Sequence, residues 1–318
     1  MSIKSFLKLV ELQTKVASII PFLFGTFYAL YRFDTFNAKN FLLMLISLLC
    51  IDMATTAINN YMDYKKAVKR HGFGYEQYNA IARDKLKDST VLTVIAVLLF
   101  LAIAFGLILF LNTDYVVLLI GAVSFAVGIL YSFGPVPISR TPFGEIFSGG
   151  FMGFVIPLLA VYIHVYNREL LSLDFQQGVL DIRMNIPEIL LIFLISLPAV
   201  VGIANIMLAN NICDMQDDFE NRRYTLPLYI GRDKSLKVYQ ILYYIGYAAM
   251  LILLLLKILP LVCLISFVTV IPVQKNIKRF YEKQSKAETF VLAVKNFVLI
   301  NSVYALTIAL AVVIKYTL

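Results

Sequence analysis

Two short polar stretches interrupt an otherwise oily chain, and their side chains are those of an oxygen-donor metal site. The first reads Asn59-Asn60-Tyr61-Met62-Asp63-Tyr64-Lys65-Lys66, and the second Asn210-Asn211-Ile212-Cys213-Asp214-Met215-Gln216-Asp217-Asp218. On a helix, a spacing of four puts Asn59 and Asp63 on one face, one turn apart. Asn210, Asp214 and Asp218 form a stripe at i, i+4, i+8, with Asp217 beside them. Carboxylates cost roughly 2.5 to 3.5 kcal/mol each at the centre of a membrane helix and less near its ends, so clusters of them need a compensating partner. Hard oxygen donors suit Mg²⁺, which takes one or two carboxylates, keeps waters and shares the phosphate oxygens of a substrate. Two facing stripes of this kind would clamp a diphosphate through metal ions and assist its departure as a leaving group. Basic side chains would complete the neutralisation: Lys65, Lys66, Arg83, Lys85 and Lys87 follow the first cluster, Arg222 and Arg223 the second.

The elements that must hold these residues are membrane helices. Of the 318 residues 60% are hydrophobic and only 15% charged, and the mean hydropathy is +0.80, values outside the range of soluble domains. Cys50, Cys213 and Cys263 lie in or beside apolar runs without paired spacing, which argues for packing residues rather than a disulfide framework or a zinc site. The net charge of +8 comes from loops between hydrophobic runs, and no nucleic-acid-binding motif accompanies it. The first apolar run lacks a cleavage pattern after it and is expected to remain as a helix. Spanning a bilayer takes roughly 20 apolar residues, and the expected spans are Val16–Tyr31, Phe41–Asp63, Thr90–Leu111, Tyr115–Phe133, Phe143–Tyr166, Pro187–Asp214, Leu236–Leu256, Ile258–Val273 and Phe290–Ile314. The fold expected is therefore all-α: an integral membrane bundle of about nine transmembrane helices.

Lys and Arg set the orientation, because basic connections stay on the cytoplasmic side. With the N-terminus inside, that side holds Lys4 and Lys8, the basic loops after spans two, six and eight, and Arg140. The other side keeps Arg32, Lys39, Arg168, Arg183, Lys257 and Lys315. The protein is thus read as a multi-pass protein of the cell membrane, with both polar clusters facing the cytoplasm. Solvated helix ends would explain any single Asp. They explain poorly two Asn-x-x-x-Asp clusters on one membrane face, each before a basic loop. The two clusters also hint at two halves, although no clear sequence repeat accompanies them.

On these residues the chain resembles the UbiA superfamily of intramembrane prenyltransferases, most nearly its menaquinone branch. Asn210-Asn211-x-x-Asp214-x-x-x-Asp218, followed by Arg223-x-Thr225-Leu226, resembles the branch's second aspartate-rich motif and its downstream basic segment. Tyr131-Ser132-Phe133-Gly134-Pro135 and Gly144-Glu145 resemble the signature between helices four and five. Thr14-Lys15-Val16-Ala17-Ser18, with Pro21 and Gly25, loosely resembles the N-terminal segment. The chain departs from the pattern at Asn60 and Ala67, where the family usually has Asp, and at Leu12-Gln13 in place of Arg-Pro. The resemblance implies a single domain over residues 1–318, with a central cavity opening at the cytoplasmic face. It implies Mg²⁺ on Asn59, Asp63, Asn210, Asp214 and Asp218, with Asp63, Asp214 and Asp218 essential to catalysis, and diphosphate binding by Lys65, Arg83, Lys87, Arg222 and Arg223. It also implies transfer of a polyprenyl group from polyprenyl diphosphate to an aromatic acceptor, 1,4-dihydroxy-2-naphthoate, giving demethylmenaquinone, diphosphate and CO₂.

Other polar residues admit two readings each. Asp52 lies two turns before Asn59 on the same face, so it belongs to an acceptor pocket or hydrogen-bonds a neighbouring helix. Glu145 opens span five as a helix-dipole partner or as a site residue. Tyr131 is placed near substrate by the resemblance, or in an interfacial aromatic belt by default. His164, far from the clusters, is expected to be structural. A cation-coupled transporter would also place acids in the membrane, but it would spread them across the bilayer depth and break helices at the midplane. The nearer rivals are other acceptors: 4-hydroxybenzoate, haem or a glycerol phosphate.

Overall fold

The computed structural model describes residues 1–66, 79–168, 170–176 and 178–317. Ala67 of the first motif lies outside them. Among the described residues nine helices are long and apolar enough to cross a membrane. They are α1 (Leu12–Phe33), α2 (Ala38–Lys65), α3 (Asp88–Leu111), α4 (Tyr115–Ser132), α5 (Gly144–Val165), α6 (Ile186–Cys213), α7 (Arg232–Leu255), α8 (Leu261–Glu282) and α9 (Phe290–Thr317). Local chemistry sets their ends. Asp34 closes the first in the left-handed region at φ 55°. The Asp114 carboxylate accepts from the Val116 N–H at the start of α4, and the Asn185 side chain accepts from the Glu188 N–H at the start of α6.

The largest departure from the expected spans is the eighth. Lys257 sits in the left-handed region at φ 57° and Pro260 precedes the helix, so α8 begins at Leu261 rather than Ile258. It also runs nine residues beyond Val273, to Glu282. That extension is amphipathic, burying Val273, Ile277 and Phe280 at i, i+4, i+7, a pattern that a search for unbroken apolar length passes over. A second departure lies between α5 and α6. There the chain forms an antiparallel hairpin, β1 (Leu171–Gln176) and β2 (Val179–Met184), in a fold expected to be all-α. The pairs Leu171 with Met184 and Leu173 with Ile182 share one face, while Ser172 with Arg183 and Asp174 with Asp181 share the other. The alternation of apolar and polar residues was the available signal.

More of α6 is buried (56%) than of any other span, against 22% of α3 and 17% of α4, which turn Phe100, Leu111 and Leu119 outward as lipid-facing helices do. The central helix packs on α5, α7 and α9, whereas α2 packs chiefly on α3 and α4, and α1 lies between α5 and α9. Between helices in lipid there is no hydrophobic drive to associate, so close backbone approach supplies the attraction. Gly153 is such a point: a Cβ there would stand 2.4 Å from Val200 Cα of α6. Gly25 is another, where a Cβ would lie 2.6 Å from the Pro157 carbonyl oxygen.

The end of the bundle opposite the two motifs is knitted by polar contacts. Arg32 pairs with Glu188 at 3.1 Å, Lys315 with Asp34 at 2.7 Å, and the Asn37 N–H donates to His164 Nδ1 at 3.0 Å. His164 is a structural acceptor, as its position far from the clusters implies.

Gly153→Val should lower the thermal unfolding midpoint in detergent by the equivalent of about 1 to 3 kcal/mol, the usual cost of overpacking. Gly150→Ala, with open space around its Cβ position, should leave it unchanged or raise it. Equal losses in the two variants would contradict the close approach of α5 to α6.

Candidate active site

One face of α2 and one face of α6 line the same cavity, of about 590 Å³. On α2 the lining runs through Ile51, Asp52, Thr55, Thr56 and Asn59, and on α6 through Ile203, Ile206 and Met207. Helical spacing carries the first face on to Asp63, four residues past Asn59. It carries the second on to Asn210, three past Met207; the expected stripe then breaks, because Asp214 caps the end of α6 and Asp218 lies in the separate short helix Met215–Glu220. The two motifs therefore stand at one end of the cavity, one on each side. Phe125, Phe147, Phe151 and Leu159 make much of the remaining wall apolar.

The first motif divides by function. Asn59 Oδ1 accepts from Ser132 Oγ at 2.9 Å, which ties it to the end of α4. Asn60 turns away: its amide donates to the Leu9 carbonyl at 3.0 Å and to Glu11 Oε1 at 3.1 Å, so it anchors the N-terminal helix Ile3–Leu9. A carboxylate there would leave the Leu9 carbonyl without a donor and face Glu11, which accounts for asparagine at this position. Asp63 is half-buried one turn beyond Asn59.

The second motif is more enclosed. Asp218 is 3% exposed; Thr225 Oγ1 donates to its Oδ2 at 3.1 Å and Arg223 Nε stands 3.3 Å from its Oδ1. Burial pushes the Asp218 carboxyl up to about 6, with Arg223 pulling it back down and the neighbouring Asp214 charge adding to the rise. Asn211 donates to Glu145 Oε1 at 2.9 Å, which joins α5 to this motif. Glu145 Oε2 and Asn211 Oδ1 are buried without a hydrogen-bond partner among the described residues. Asn210 Oδ1 and Asp214 Oδ2 both accept from the ammonium of Lys286, the latter at 2.5 Å.

Of the basic residues expected at a diphosphate, Arg223 meets a motif carboxylate. Lys65 pairs with Asp88 and Arg83 with Asp84 at 2.7 Å, a contact that brings the Asp84 carboxyl down to about 2. Lys87 and Arg222 are exposed. Sequence reasoning used Lys286 only to orient the chain, and it used Lys15 only within the N-terminal segment. Lys15 is buried at the cavity wall, where its ammonium donates to Asp52 Oδ1 at 2.6 Å, to the Asp52 carbonyl at 3.1 Å and to Thr56 Oγ1 at 2.7 Å, while Ser18 donates to Asp52 Oδ2 at 2.5 Å. Asp52 thus lines the cavity and bonds to a neighbouring helix at once. Tyr131 also lines the cavity, beside Gly144.

The donors fit a hard divalent cation. They are carboxylate and amide oxygens only, and an ammonium already bridges Asn210 and Asp214 where a cation would sit. Among the described residues no three His, Cys, Asp or Glu converge closely enough to hold a metal unaided. A divalent ion there would need phosphate oxygens or waters to complete its coordination, which is the habit of Mg²⁺.

A family model describing the UbiA prenyltransferase family matches residues 18–312. The chain belongs to this family. It is 33% identical over 222 residues to a 1,4-dihydroxy-2-naphthoate octaprenyltransferase of Bacillus subtilis (strain 168), a match over 69% of this chain that spans 63% of the relative's length. The fold is that of solved UbiA homologues. One, from Aeropyrum pernix K1, has a TM-score of 0.67 at 15% identity, covering 96% of this chain and 98% of the other. Another, from Archaeoglobus fulgidus and bound to DMAPP and Mg²⁺, has a TM-score of 0.64 at 14% identity, covering 98% and 99%. In this UbiA family member Lys15 and Asp52, which lines the cavity, form a buried ionic contact.

Removing one partner of a buried pair strands the other charge and costs about 3 to 5 kcal/mol. Lys15→Met should therefore lower the thermal midpoint more than the double variant Lys15→Met/Asp52→Asn does. Additive losses would show that the pair is not coupled.

Proposed function

We propose that this protein transfers a polyprenyl group from its diphosphate to 1,4-dihydroxy-2-naphthoate, with release of diphosphate and CO₂. The observation that carries the reading is the pair of Asn-x-x-x-Asp faces leaving one cavity on opposite walls. The naphthoate acceptor rests on the likeness to the Bacillus subtilis enzyme, whose name gives that substrate. The dependence on Mg²⁺ draws on the oxygen-only donors and on the Archaeoglobus fulgidus homologue, which holds the ion together with DMAPP.

Asn59, Asp63, Asn210, Asp214 and Asp218 would hold a divalent ion that meets the diphosphate. Mg²⁺ bound there supplies positive charge to the departing diphosphate oxygens. Arg223 adds a fixed cation beside Asp218, so charge that develops as the allylic C–O bond breaks meets a preorganised field. The apolar wall around Phe125, Phe147 and Phe151 takes the isoprenoid chain and keeps water from the allylic cation. Asp52, fixed by Lys15 and Ser18, together with Tyr131 and Glu145, forms the acceptor side. The ring carbon that bears the carboxylate forms the new C–C bond, and CO₂ leaves with the ring regaining its electron pair.

Membranes containing the protein, given radiolabelled polyprenyl diphosphate, Mg²⁺ and a panel of acceptors, should label 1,4-dihydroxy-2-naphthoate in preference to 4-hydroxybenzoate, haem or a glycerol phosphate. Asp63→Ala and Asp214→Ala should each reduce turnover by at least about a hundredfold to a thousandfold while the protein still inserts and folds. Near-normal turnover in either variant would defeat the metal assignment, and preference for another acceptor would defeat the naphthoate.

The same reading puts the motif end in the cytoplasm of a cell-membrane protein whose N-terminus is also inside, supported by the basic loops on that side. A cysteine at Asn37 should react with an impermeant maleimide in intact cells and one at Asn221 should not. The reverse pattern would invert the orientation.

A further inference from the structure

Lys286 lies in the connection between α8 and α9, which local contacts hold in one shape. Thr289 Oγ1 donates to the Lys283 carbonyl at 2.8 Å, the Ser285 N–H donates to Thr289 Oγ1 at 2.9 Å, and Gln284 Nε2 donates to the Phe280 and Tyr281 carbonyls at 2.7 and 2.8 Å. Lys283 pairs with Glu288 at 2.6 Å. The turn therefore aims the one lysine it does not use for itself, and the Lys286 ammonium reaches Asn210 Oδ1 and Asp214 Oδ2 together, 5.2 Å from the centre of the Phe290 ring. A casual surface ion pair holds one carboxylate. This one takes two oxygens a helical turn apart, those that the proposed function gives to the metal.

We infer that Lys286 is the resident counterion of the second motif: its ammonium holds the cation position between Asn210 and Asp214 and gives it up to a divalent metal when the diphosphate binds. An ammonium and a divalent ion cannot share that position, because each repels the other and both need the same oxygens. Metal alone must displace a tethered cation and gains little. Metal arriving with a diphosphate brings an anion onto which the released ammonium can move, since the flexible lysine stem and the three donors of its head allow it. Lys286 thereby couples binding of the metal to binding of the prenyl diphosphate, and it keeps Asp214 neutralised between turnovers.

This inference rests on the metal reading of Asn210 and Asp214, and the experiment separates the two. Binding of Mn²⁺ is followed by electron paramagnetic resonance on the full chain in lipid nanodiscs, with and without inorganic pyrophosphate. Without pyrophosphate, Lys286→Met should bind Mn²⁺ about tenfold or more tightly than the unaltered protein, the direction expected when a like charge leaves a site. Lys286→Arg, which keeps the charge, should bind as weakly as the unaltered protein. With pyrophosphate present the advantage of Lys286→Met should fall below about threefold, as the freed ammonium then serves the anion. Equal or weaker Mn²⁺ binding by Lys286→Met without pyrophosphate overturns the inference, as does an undiminished advantage with it. Asp214→Ala added to Lys286→Met should abolish the tight binding; if it does not, the metal reading itself fails.

Discussion

Anionic side chains at the ends of apolar helices must be met by positive charge, and the arrangement of this protein follows from where that charge comes from. Burial makes an ionised carboxylate expensive, and the cost is visible at Asp218, whose carboxyl is pushed up to about 6 even with Arg223 beside it. Three of the acids take cations from the chain: Asp52 from Lys15, Asp218 from Arg223 and Asp214 from Lys286. These contacts tie the first span to the second, and the connection that follows α6 to the one between α8 and α9. The proposed metals and diphosphate would enter a field already shaped for exchanging cations.

The packing makes room for that cavity. Gly153 brings α5 against α6 at a distance no side chain allows, and contacts such as Arg32 with Glu188 and Asn37 with His164 tie the far end of the bundle. With that end secured and α6 at the centre, the cavity is lined by one face of α2 and one face of α6. An apolar chamber topped by acidic oxygens suits a molecule with a long hydrocarbon body and a doubly phosphorylated head.

Much of this was legible in the sequence because it is local. Apolar length locates the spans, and the i, i+4 spacing of Asn59 with Asp63 and of Asn210 with Asp214 assigns their faces. Partnerships across the fold were not legible. Nothing near Lys286 in the chain distinguishes it from the other loop lysines, and only packing brings it to Asp214. Lys15 looks like the charged lead-in to the first span, yet it is 2% exposed because Asp52 and Thr56 take all of its protons. Asn60 reads as a motif residue from its neighbours, whereas its amide serves the Leu9 carbonyl and Glu11. Lys65 and Arg83, read as diphosphate ligands, pair with Asp88 and Asp84, partnerships that the motifs did not announce. The hairpin after α5 carried a period-two signal that was overshadowed by the search for helices.

The central claim is that the two Asn/Asp faces act as one metal–diphosphate clamp. It is tested most directly by locating Mn²⁺ through its anomalous scattering in crystals grown with a non-reactive prenyl thiodiphosphate. The account predicts metal bonded both to Asp63 on α2 and to Asp214 just past the end of α6, with the diphosphate oxygens between them and the hydrocarbon along the Phe125 and Phe147 wall. A diphosphate bound without metal contact to either carboxylate, or metal found away from both motifs, would contradict it.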